Sequence, residues 1–409
     1  MKNESPKNRF DKFNKNWFIV RVSDIAGQYK TGGTPSTKEP IFWEGTIPWI
    51  QSSDIQKDTL FGATPQKFIS EEGLRNSSAK LIPKNSIAIV TRVGVGKLAI
   101  IDQDYATSQD FLSLSSLKGD THFLVYSIYR MLQKESTQQQ GTSIKGITKE
   151  DLLSKKISLP RIEEQTAIGS LFRILDELLY SYKDNLANYQ SLKVTMLSKM
   201  FPKAGQTVPE IRLDGFEGEW EKVKLKDVTD SIEYGLNASA KEFDGENKYI
   251  RITDIDDISR KFKEDSLTSP DINVSECDNY LLCEKDILFA RTGASVGKTY
   301  LYDKKDGKVY FAGFLIRARI KEKFDSKFIF QNTLTDKFTQ FVKVTSQRSG
   351  QPGVNGKEYG EYELYLPQYE EQQAIGSYFS NLDNLINSYK DKISQLETLK
   401  KKLLQDMFI

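Results

Sequence analysis

The fold of this chain is decided by a stretch of sequence that occurs twice. Residues 159–202 read LPRIEEQTAIGSLFRILDELLYSYKDNLANYQSLKVTMLSKMFP, and residues 366–409 read LPQYEEQQAIGSYFSNLDNLINSYKDKISQLETLKKKLLQDMFI. The two stretches align without gaps and are identical at 22 of their 44 positions. Agreement at this level over this length indicates an internal duplication, which determines the architecture.

Within both stretches, apolar residues recur every seven positions, as they do in a coiled coil. They are Ile168, Leu175, Tyr182, Tyr189 and Met196 in the first copy, and Ile375, Leu382, Tyr389, Leu396 and Leu403 in the second. We therefore expect each stretch to form a helix of about 40 residues, roughly 60 Å long, that packs along this seam on the other helix. The alternative is that each helix packs only on the globular part that precedes it.

The expected helix starts carry residues that are typical of this position. Pro160 and Pro367 suit a first helical turn, because proline has no N–H to leave unpaired there. The glutamate pairs at 163–164 and 370–371 suit the positive end of the helix dipole. We expect the first helix to end near Phe201 and Pro202.

The duplication extends into the regions in front of the two helices, which we call the first and second body. Arg9 and Trp17 match Arg212 and Trp220. Strands are expected at 86–91 and 286–290, and helices at 123–132 and 327–338. Because the second body begins within about 20 residues of the first long helix, paired helices must run antiparallel, with an approximate internal two-fold axis. The sequence thus predicts an α+β fold with tandem mixed α/β bodies at 1–159 and 203–366 and helical regions at 160–202 and 367–409.

Composition excludes several classes of protein. The 58 basic and 56 acidic residues give a net charge of +2, so no global positive field marks a polyanion partner. No apolar run approaches the roughly 18 residues of a membrane span, and the first residues lack the apolar core of a secretory signal. We therefore expect a cytoplasmic protein. We expect the single histidine, His122, to be structural, and the two cysteines, Cys277 and Cys283, to be ordinary core or strand residues rather than metal ligands.

Two glycine-rich segments only approach nucleotide-binding motifs. Residues 293–299 have three residues between the first glycine and Gly-Lys, where a phosphate loop needs four. Residues 94–99 fit a loose dinucleotide fingerprint but lead into an expected strand, so no helix amino terminus is available. Both copies share an arginine and a lysine here, Arg92 and Lys97 in one and Arg291 and Lys298 in the other. This pattern indicates a tight hairpin whose two cations either contact phosphate or are merely solvated.

No catalytic or metal-binding constellation is recognisable, so a binding role is favoured over enzymatic activity. Candidate binding loops precede each long helix and contain amide and basic side chains without acidic ones. They contribute Gln138, Gln139, Gln140, Lys145 and Lys149 in the first body, and Lys343, Gln347, Arg348, Gln351 and Lys357 in the second. Arg, Gln and Asn can bond two atoms of one base edge, whereas Lys mostly contacts phosphate. The alternative is that these loops only face solvent.

Two segments resemble a known family, the specificity subunits of type I restriction-modification systems. Residues 209–228, PEIRLDGFEGEWEKVKLKDV, resemble the opening of a target-recognition domain in that family. The motif LPxxEEQxAIG at 159–169 and 366–376 resembles the start of the family's helical regions. The resemblance covers essentially the whole chain, although the first opening, from Pro6, matches less well than the second.

The resemblance implies a function for each part of the chain. Each body would be a target-recognition domain that reads one half of a split, asymmetric double-stranded DNA site, and the helix pair would set the gap between the halves. Two methylation subunits would bind S-adenosylmethionine and modify adenine, and motor-nuclease subunits would cleave DNA with ATP and Mg. The chain itself would be non-catalytic and would hold no cofactor. A structural adaptor whose bodies bind protein, and a phosphate-loop ATPase, are the alternatives.

Overall fold

A computed structural model of the chain describes residues 6–92, 95–138, 146–347 and 351–409. The chain divides into two compact units, Met1–Tyr182 together with Lys392–Ile409, and Lys183–Asp391. Both units mix strands and helices, so the predicted α+β class is confirmed. Each unit also takes part of both long helices, and the four-segment division expected from the sequence therefore stays a prediction. Among the described residues, no helix is long and apolar enough to cross a membrane.

The first unit is built on a four-stranded antiparallel sheet with strand order β2-β8-β5-β6. Its elements are β1 (Phe18–Arg21), β2 (Ala26–Thr31), β3 (Ile47–Ile50), β4 (Lys67–Ile69), α1 (Glu71–Arg75), β5 (Ser86–Val90), β6 (Leu98–Ile101), β7 (Ala106–Thr107), β8 (Phe111–Leu117), α2 (Thr121–Gln138), α3 (Lys149–Ser154), β9 (Lys156–Leu159) and α4 (Ile162–Lys199). Smaller sheets pair β1 with β9 and order β4-β3-β7. Strands β5 and β6 are buried throughout, because their β-branched and aliphatic side chains pack on both faces of the sheet.

The second unit repeats this plan with a four-stranded sheet of order β11-β18-β15-β16. Its elements are β10 (Glu221–Lys224), β11 (Thr229–Tyr234), β12 (Ala240–Glu242), β13 (Lys248–Ile250), β14 (Thr268–Pro270), β15 (Asp286–Ala290), β16 (Thr299–Leu301), β17 (Val309–Phe311), β18 (Leu315–Ile320), α5 (Ser326–Asn332), α6 (Asp336–Thr345), α7 (Gly356–Gly360), β19 (Glu363–Leu366) and α8 (Tyr369–Asp406). The pairs β10-β19, β12-β14 and β13-β17 complete it. The strands predicted at 86–91 and 286–290 are thus confirmed as β5 and β15 within a residue.

The helix predicted over 327–338 is wrong, because two helices occupy this region. The α5 helix ends at Asn332, and the side chain of Thr335 then caps α6 by accepting a hydrogen bond from the Phe338 amide. Between them, the Thr333 hydroxyl is buried and bonds the Phe330 carbonyl and the Thr299 hydroxyl. A threonine hydroxyl that bonds backbone groups competes with helix continuation, so the chain breaks here.

The long helices α4 and α8 begin two residues later than the sequence suggested. Pro160 and Pro367 lie outside the first turn, and that prediction is wrong. Their carbonyls accept hydrogen bonds from the amide groups of Gln165 and Gln372, at 2.9 Å in both copies. At 38 residues each, the helices are roughly 57 Å long.

The second glutamate of each pair at the helix starts is an ion-pair partner inside the protein. Glu164 is 2% exposed and binds Arg9 with both oxygens, at 2.6 and 2.7 Å, and it also accepts from the Trp17 indole N–H at 3.3 Å. Glu371, 1% exposed, binds Arg212 at 2.8 and 2.7 Å. Both glutamate pairs lie in the first turn of their helix, as predicted, and the second glutamate of each pair is in addition buried against a guanidinium group. Each pair ties the opening segment of a body to its long helix.

A glycine in each long helix allows the body to approach closely. A Cβ on Gly169 would lie 2.2 Å from the Asp120 carboxylate, and one on Gly376 would lie 2.5 Å from that of Asp325. These aspartates accept the backbone N–H of Phe123 and Phe328 at the start of α2 and α5. The repeated EEQxAIG motif therefore holds the first turns of each long helix on its own body.

The two long helices also contact each other, and they do so within each unit. In the first unit, Asp176 of α4 bonds Lys400 of α8, and the Lys392 ammonium lies 5.8 Å from the Tyr182 ring. The numbers of the contacting residues rise along one helix as they fall along the other. The helices are therefore antiparallel, as predicted from the chain order.

The second unit repeats this pairing. Lys193 lies 2.6 Å from Asp383, and the rings of Tyr189 and Tyr389 are 5.5 Å apart. The Lys193–Asp383 pair corresponds to Lys400–Asp176 through the duplication, which shifts residue numbers by 207. The same ion pair thus occurs once in each unit, as an internal two-fold repeat requires.

The predicted seam residues are all at least partly buried. Ile168, Leu175, Ile375 and Leu382 are buried, and Tyr182, Tyr189, Met196, Tyr389, Leu396 and Leu403 are partly buried. Ile168 and Ile375 also belong to the body cores, beside Phe172 and Phe379. Each helix therefore packs first on its own body and then on the other helix, so helix pairing is confirmed and the alternative that each helix packs only on its own body is wrong.

The residues that the sequence assigned to structural roles differ in their environment. His122 is half-buried and stacks on Phe61, with ring centroids 5.1 Å apart, and this burial lowers the pKa of the imidazole. Cys277 is buried in the second unit, as expected. Cys283 is exposed and lies outside any strand, so that expectation is wrong for it. A turn before β15 holds it at the surface.

We predict that Glu164→Ala destabilises the chain by about 3 kcal/mol, because the substitution leaves the Arg9 guanidinium without its carboxylate at a nearly buried site. The neighbouring Glu163→Ala is the matched control, since that side chain is exposed and should change stability by less than about 0.5 kcal/mol. Urea unfolding of the full chain, followed by circular dichroism, measures both. Equal midpoints for the two variants would contradict the anchoring role of Glu164.

We also predict that Lys193 and Asp383 are energetically coupled. A double-mutant cycle with alanine at each position should give a coupling free energy of about 1 kcal/mol, because the side chains are mostly buried between α4 and the other helix. The exposed pair Arg173–Glu177, which lies within α4, is the control and should give about 0.4 kcal/mol or less. Additive effects of the Lys193 and Asp383 substitutions would contradict a pairing contact.

Candidate nucleic-acid interface

Each body has one hairpin that carries the arginine and lysine noted in the sequence. It connects β5 to β6 in the first body and β15 to β16 in the second. The Val90 amide donates to the Lys97 carbonyl and the Ala290 amide donates to the Lys298 carbonyl, at 2.9 and 2.8 Å, so the two lysines are equivalent. The next residue is Thr91 in one body and Arg291 in the other. The equivalence of Arg92 with Arg291 assumed from the sequence is therefore wrong by one residue, because the second hairpin is one residue longer.

The two lysines of these hairpins point back into the protein. Lys298 is 7% exposed, lies 2.5 Å from an Asp257 oxygen and donates to the Ile255 carbonyl. Lys97 donates to the Ser52 carbonyl at 2.9 Å. Both side chains thus hold the hairpin on the segment that follows β3 or β13. A phosphate contact by Lys298 would require these bonds to break, and its predicted role in DNA binding stays a prediction.

A surface cavity with a volume of about 810 Å³ lies at the ends of the central strands of the second unit. We call it the arginine surface and define it by Tyr234, Arg251, Arg291 and Phe314, which come from four separate segments. Asn237 and Thr253 also line it, and none of its described lining residues is acidic. Two guanidinium groups in a concave surface whose described lining is not acidic favour an anionic or acceptor-rich ligand.

The two arginines of this surface differ in how their charges are balanced. Arg251 binds Asp254 through two hydrogen bonds of 2.8 and 2.9 Å, which raises the pKa of its guanidinium further above the ordinary value. Arg291 instead stacks on Tyr234, with the guanidinium carbon 5.0 Å from the ring centroid. Within the described ranges, no carboxylate lies within 4.0 Å of Arg291. Arg291 therefore offers an available fork of hydrogen-bond donors.

Two aromatic residues, Tyr234 and Phe314, line the arginine surface together with Arg291. The Tyr234 hydroxyl accepts the Gly356 amide at 3.1 Å, which fixes the ring under the guanidinium. Phe314 is 63% exposed, and its carbonyl accepts the Arg291 amide at 3.1 Å. A guanidinium held over one ring, with a second, exposed ring on the same surface, suits contact with a flat, acceptor-rich group such as a base.

The predicted loop of the second body runs beside this surface. The Gly293 amide donates to the Pro352 carbonyl at 3.0 Å, and a Cβ on Gly293 would lie 3.2 Å from the Gln351 amide nitrogen. Gln351 is exposed, and Lys357 follows the glycine that bonds Tyr234. Lys343, in α6, and Gln347, just after the end of α6, are both exposed. Arg348 lies outside the described residues. The structure thus places the chain segments that carry Arg291, Gln351 and Lys357 next to one another.

The first body has a similar arrangement with fewer described residues. Arg92 and Lys149 are exposed, and the Ile147 amide donates to the Thr91 carbonyl at 2.7 Å, which brings the two segments together. Gln138 is the last residue of α2, and Gln139, Gln140 and Lys145 lie outside the described residues.

Sequence reasoning missed Tyr234, Arg251 and Phe314. They lie on strand ends that are far apart along the chain, and no local motif marks them. The one signal available in the sequence was that the two copies carry different residues at these positions. Strand register and backbone hydrogen bonds place Thr31, Gln51 and Asp110 of the first body at the positions of Tyr234, Arg251 and Phe314.

Neither body contains a recognisable metal centre in its described part. No group of three or more His, Cys, Asp and Glu side chains there could hold a metal ion. The segment 293–295 forms a short 3-10 turn that leads into strand β16 rather than into a helix. The phosphate-loop alternative, which the spacing already argued against, therefore gains no support from the geometry of this segment.

Comparison with known proteins gives a consistent similarity over the whole chain. The family model for the type I restriction modification DNA specificity domain matches residues 14–188 and again residues 217–398. The specificity subunit of the type I restriction enzyme MjaVIII from Methanocaldococcus jannaschii is 23% identical over 410 residues, which cover 95% of this chain and 91% of that protein. The MjaIX specificity subunit from the same organism is 25% identical over 298 residues, which cover 70% and 68%.

Solved structures share the fold. The crystal structure of a type I restriction-modification S subunit from M. genitalium has a TM-score of 0.65 at 16% identity and matches over 99% of both chains. A second chain, from work on complex assembly and conformational transition of the type I R-M system, has a TM-score of 0.52 at 17% identity over 96% of this chain and 97% of that one.

We predict that Lys298→Met lowers the stability of the full chain by about 2 kcal/mol, because it leaves the buried Ile255 carbonyl without its hydrogen-bond donor. Lys357→Gln is the matched control at an exposed lysine of the same body and should stay within about 0.5 kcal/mol. Urea unfolding curves measure both. If Lys298→Met unfolds like the unsubstituted chain but weakens DNA binding, Lys298 is a DNA contact rather than a tether.

Proposed function

The chain belongs to the type I restriction-modification DNA specificity family, and on this premise we propose that it is the sequence-reading subunit of such a system. It reads a two-part, asymmetric double-stranded DNA target, with one half-site for each body. The observation that carries this proposal is the repeat itself: two bodies of one fold present different side chains at equivalent surface positions, and the same helix pair connects them.

The asymmetry of the target follows from the differences between the bodies. Around the arginine surface the second body has two aromatic and two basic side chains. The equivalent positions of the first body carry Thr31, Gln51, Thr91 and Asp110. Base edges are distinguished by the pattern of donors, acceptors and methyl groups that a protein offers them. Two surfaces with such different chemistry should select different half-sites.

The helix pair is proposed to set the gap between the half-sites. Each long helix begins on the core of one body, and the phenylalanine two residues after its end, Phe201 or Phe408, belongs to the core of the other unit. Modules that read half-sites on one face of DNA need a spacing near one helical turn or a multiple of it. A pair of rigid helices of roughly 57 Å suits that requirement better than a flexible linker does.

Catalysis is proposed to belong to partner subunits. Two methylation subunits would bring S-adenosylmethionine and modify adenine, and motor-nuclease subunits would use ATP and Mg to cleave unmodified DNA in the cytoplasm. The net charge of +2 supports a division of labour in which these partners supply much of the phosphate contact. We therefore expect weak DNA binding by the chain alone and a steep salt dependence for the complex.

The proposal is tested by mapping methylated adenines in cells that carry the methylation subunits with and without this chain. We expect one bipartite motif, with two unlike halves separated by a fixed gap, that appears only when the chain is present. A structural adaptor would leave the methylation pattern independent of the chain, and that result would refute the proposal.

We predict that shortening both helices changes only the gap. Removal of residues 181–187 together with residues 388–394 keeps the seven-residue seam in phase and shortens each helix by about 10 Å, which corresponds to about three base pairs. Motif mapping should then return the same half-sites with a shorter gap.

Removal of residues 181–187 alone is the control. It shifts one seam against the other by a heptad and should reduce methylation overall rather than move the motif. Altered half-site sequences after the paired deletion would contradict the role of the helices as a spacer.

A further inference from the structure

We propose that Arg291 reads a guanine in the half-site bound by the second body, with Tyr234 as its positioning residue and Phe314 beside it on the same surface. The inference rests on the proposed function and goes beyond it, because it names the base and the side chain that recognises it. Its basis is the geometry of the arginine surface.

Arg291 is held in place before any ligand binds. Its amide donates to the Phe314 carbonyl at 3.1 Å, and its carbonyl accepts the Val354 amide at 2.9 Å, so strand and loop fix its backbone on both sides. Its guanidinium lies over the Tyr234 ring, which the Gly356 amide anchors. A side chain that is already ordered loses less conformational entropy on binding, which favours a specific contact.

The charge of Arg291 is available, whereas its neighbours are already paired. Arg251 binds Asp254, and Arg317 binds Glu233. Arg319 binds Asp286 through two of its three guanidinium nitrogens, at 2.8 and 2.9 Å. In the part of the chain that the structure describes, Arg291 has stacking on Tyr234 in place of a carboxylate partner. Of the two arginines lining the surface, it is the one whose donors are open.

Guanine is the base that this arrangement fits best. In the major groove, guanine offers two adjacent acceptors, N7 and O6, and the fork of an arginine matches both at once. Stacking on Tyr234 holds the guanidinium plane against a ring face and leaves its edge for hydrogen bonds. A phosphate contact would need neither the ring below nor the exposed Phe314 at the side.

Phe314 distinguishes the two bodies at this place. Asp110 occupies the equivalent position in the first body, because the Thr91 amide donates to the Asp110 carbonyl just as the Arg291 amide donates to the Phe314 carbonyl. The first body thus has threonine and aspartate where the second has arginine and phenylalanine. The guanine is therefore expected in one half of the target only.

The test uses the chain together with its methylation subunits and maps the methylated motif for Arg291→Gln and Arg291→Lys. Arg291→Gln removes the charge and the guanidinium fork, whereas Arg291→Lys keeps the charge. Both should lose discrimination at one G·C position in one half-site by roughly 10-fold or more, because neither offers the bidentate fork to N7 and O6. The other half-site and the gap should not change.

Lys357→Gln is the matched control, because Lys357 lies near Tyr234 but offers a point charge. It should weaken binding evenly across sequences and reduce the salt slope by about 1 without changing the motif. Tyr234→Ala should relax the same G·C position as the Arg291 variants, whereas Tyr234→Phe, which keeps the ring, should retain most of the discrimination.

The outcomes separate this inference from the proposed function. If the unsubstituted chain directs no methylation motif, the proposed function fails. If it directs a motif that both Arg291 variants leave unchanged, or that they weaken equally in both halves, the function stands and the inference is refuted. An even loss of affinity, like that expected for Lys357→Gln, would make Arg291 a phosphate contact and would also refute it.

Discussion

The structure depends on the buried ion pair at the start of each long helix, Arg9 with Glu164 and Arg212 with Glu371. Each pair joins the opening segment of a body to the first turn of its helix, across 155 and 159 residues of sequence. The glycine one turn farther along then allows the helix to lie against the capping aspartate of α2 or α5. These contacts fix the rotation of the helix on its body and thereby decide which side chains form the seam. Burying both charges costs solvation energy, so the pair contributes a defined position more than it contributes stability.

Each hydrophobic core is completed by residues from both long helices. In the first unit, Phe408 stacks on Phe123 and packs against Phe172, while in the second Phe201 packs on Phe328 and Phe379. Seam and core therefore form one continuous apolar interior within each unit. Asp176 of α4 also links the body to the other long helix, because it accepts hydrogen bonds from Tyr126 of the body and from Lys400 of α8. A helix displaced from its partner would leave a carboxylate and a cluster of aromatic rings uncovered.

The sequence predicted the repeat, the two long helices, their antiparallel direction and two central strands, because those features are periodic or duplicated. The sequence did not predict that Glu164 is buried, because its burial depends on Arg9, an ion-pair partner 155 residues away along the chain. The one-residue error at Arg92 arose because an alignment cannot place an insertion inside a hairpin, whereas backbone hydrogen bonds can. Tyr234 and Phe314 were not predictable from local pattern, because only the folded sheet brings their strand ends together. The loop that carries Gln351 was identified, but its position beside Arg291 required the fold.

Equivalent positions in the two bodies show how one scaffold can carry chemically unlike surfaces. Thr91 and Arg291 make the same backbone hydrogen bonds, to Asp110 and Ile147 in one body and to Phe314 and Val354 in the other. Their side chains can therefore differ while the strand ends stay paired. The lysines that follow, Lys97 and Lys298, are present in both copies and hold each hairpin on its body through a backbone carbonyl. Residues that hold the hairpin and residues that line the arginine surface thus alternate within a few positions, and the second group can change without disturbing the core. Under the proposed function, a new half-site would need new side chains at the strand ends, whereas a new gap would need new helix lengths, so the two parts of the target would vary independently.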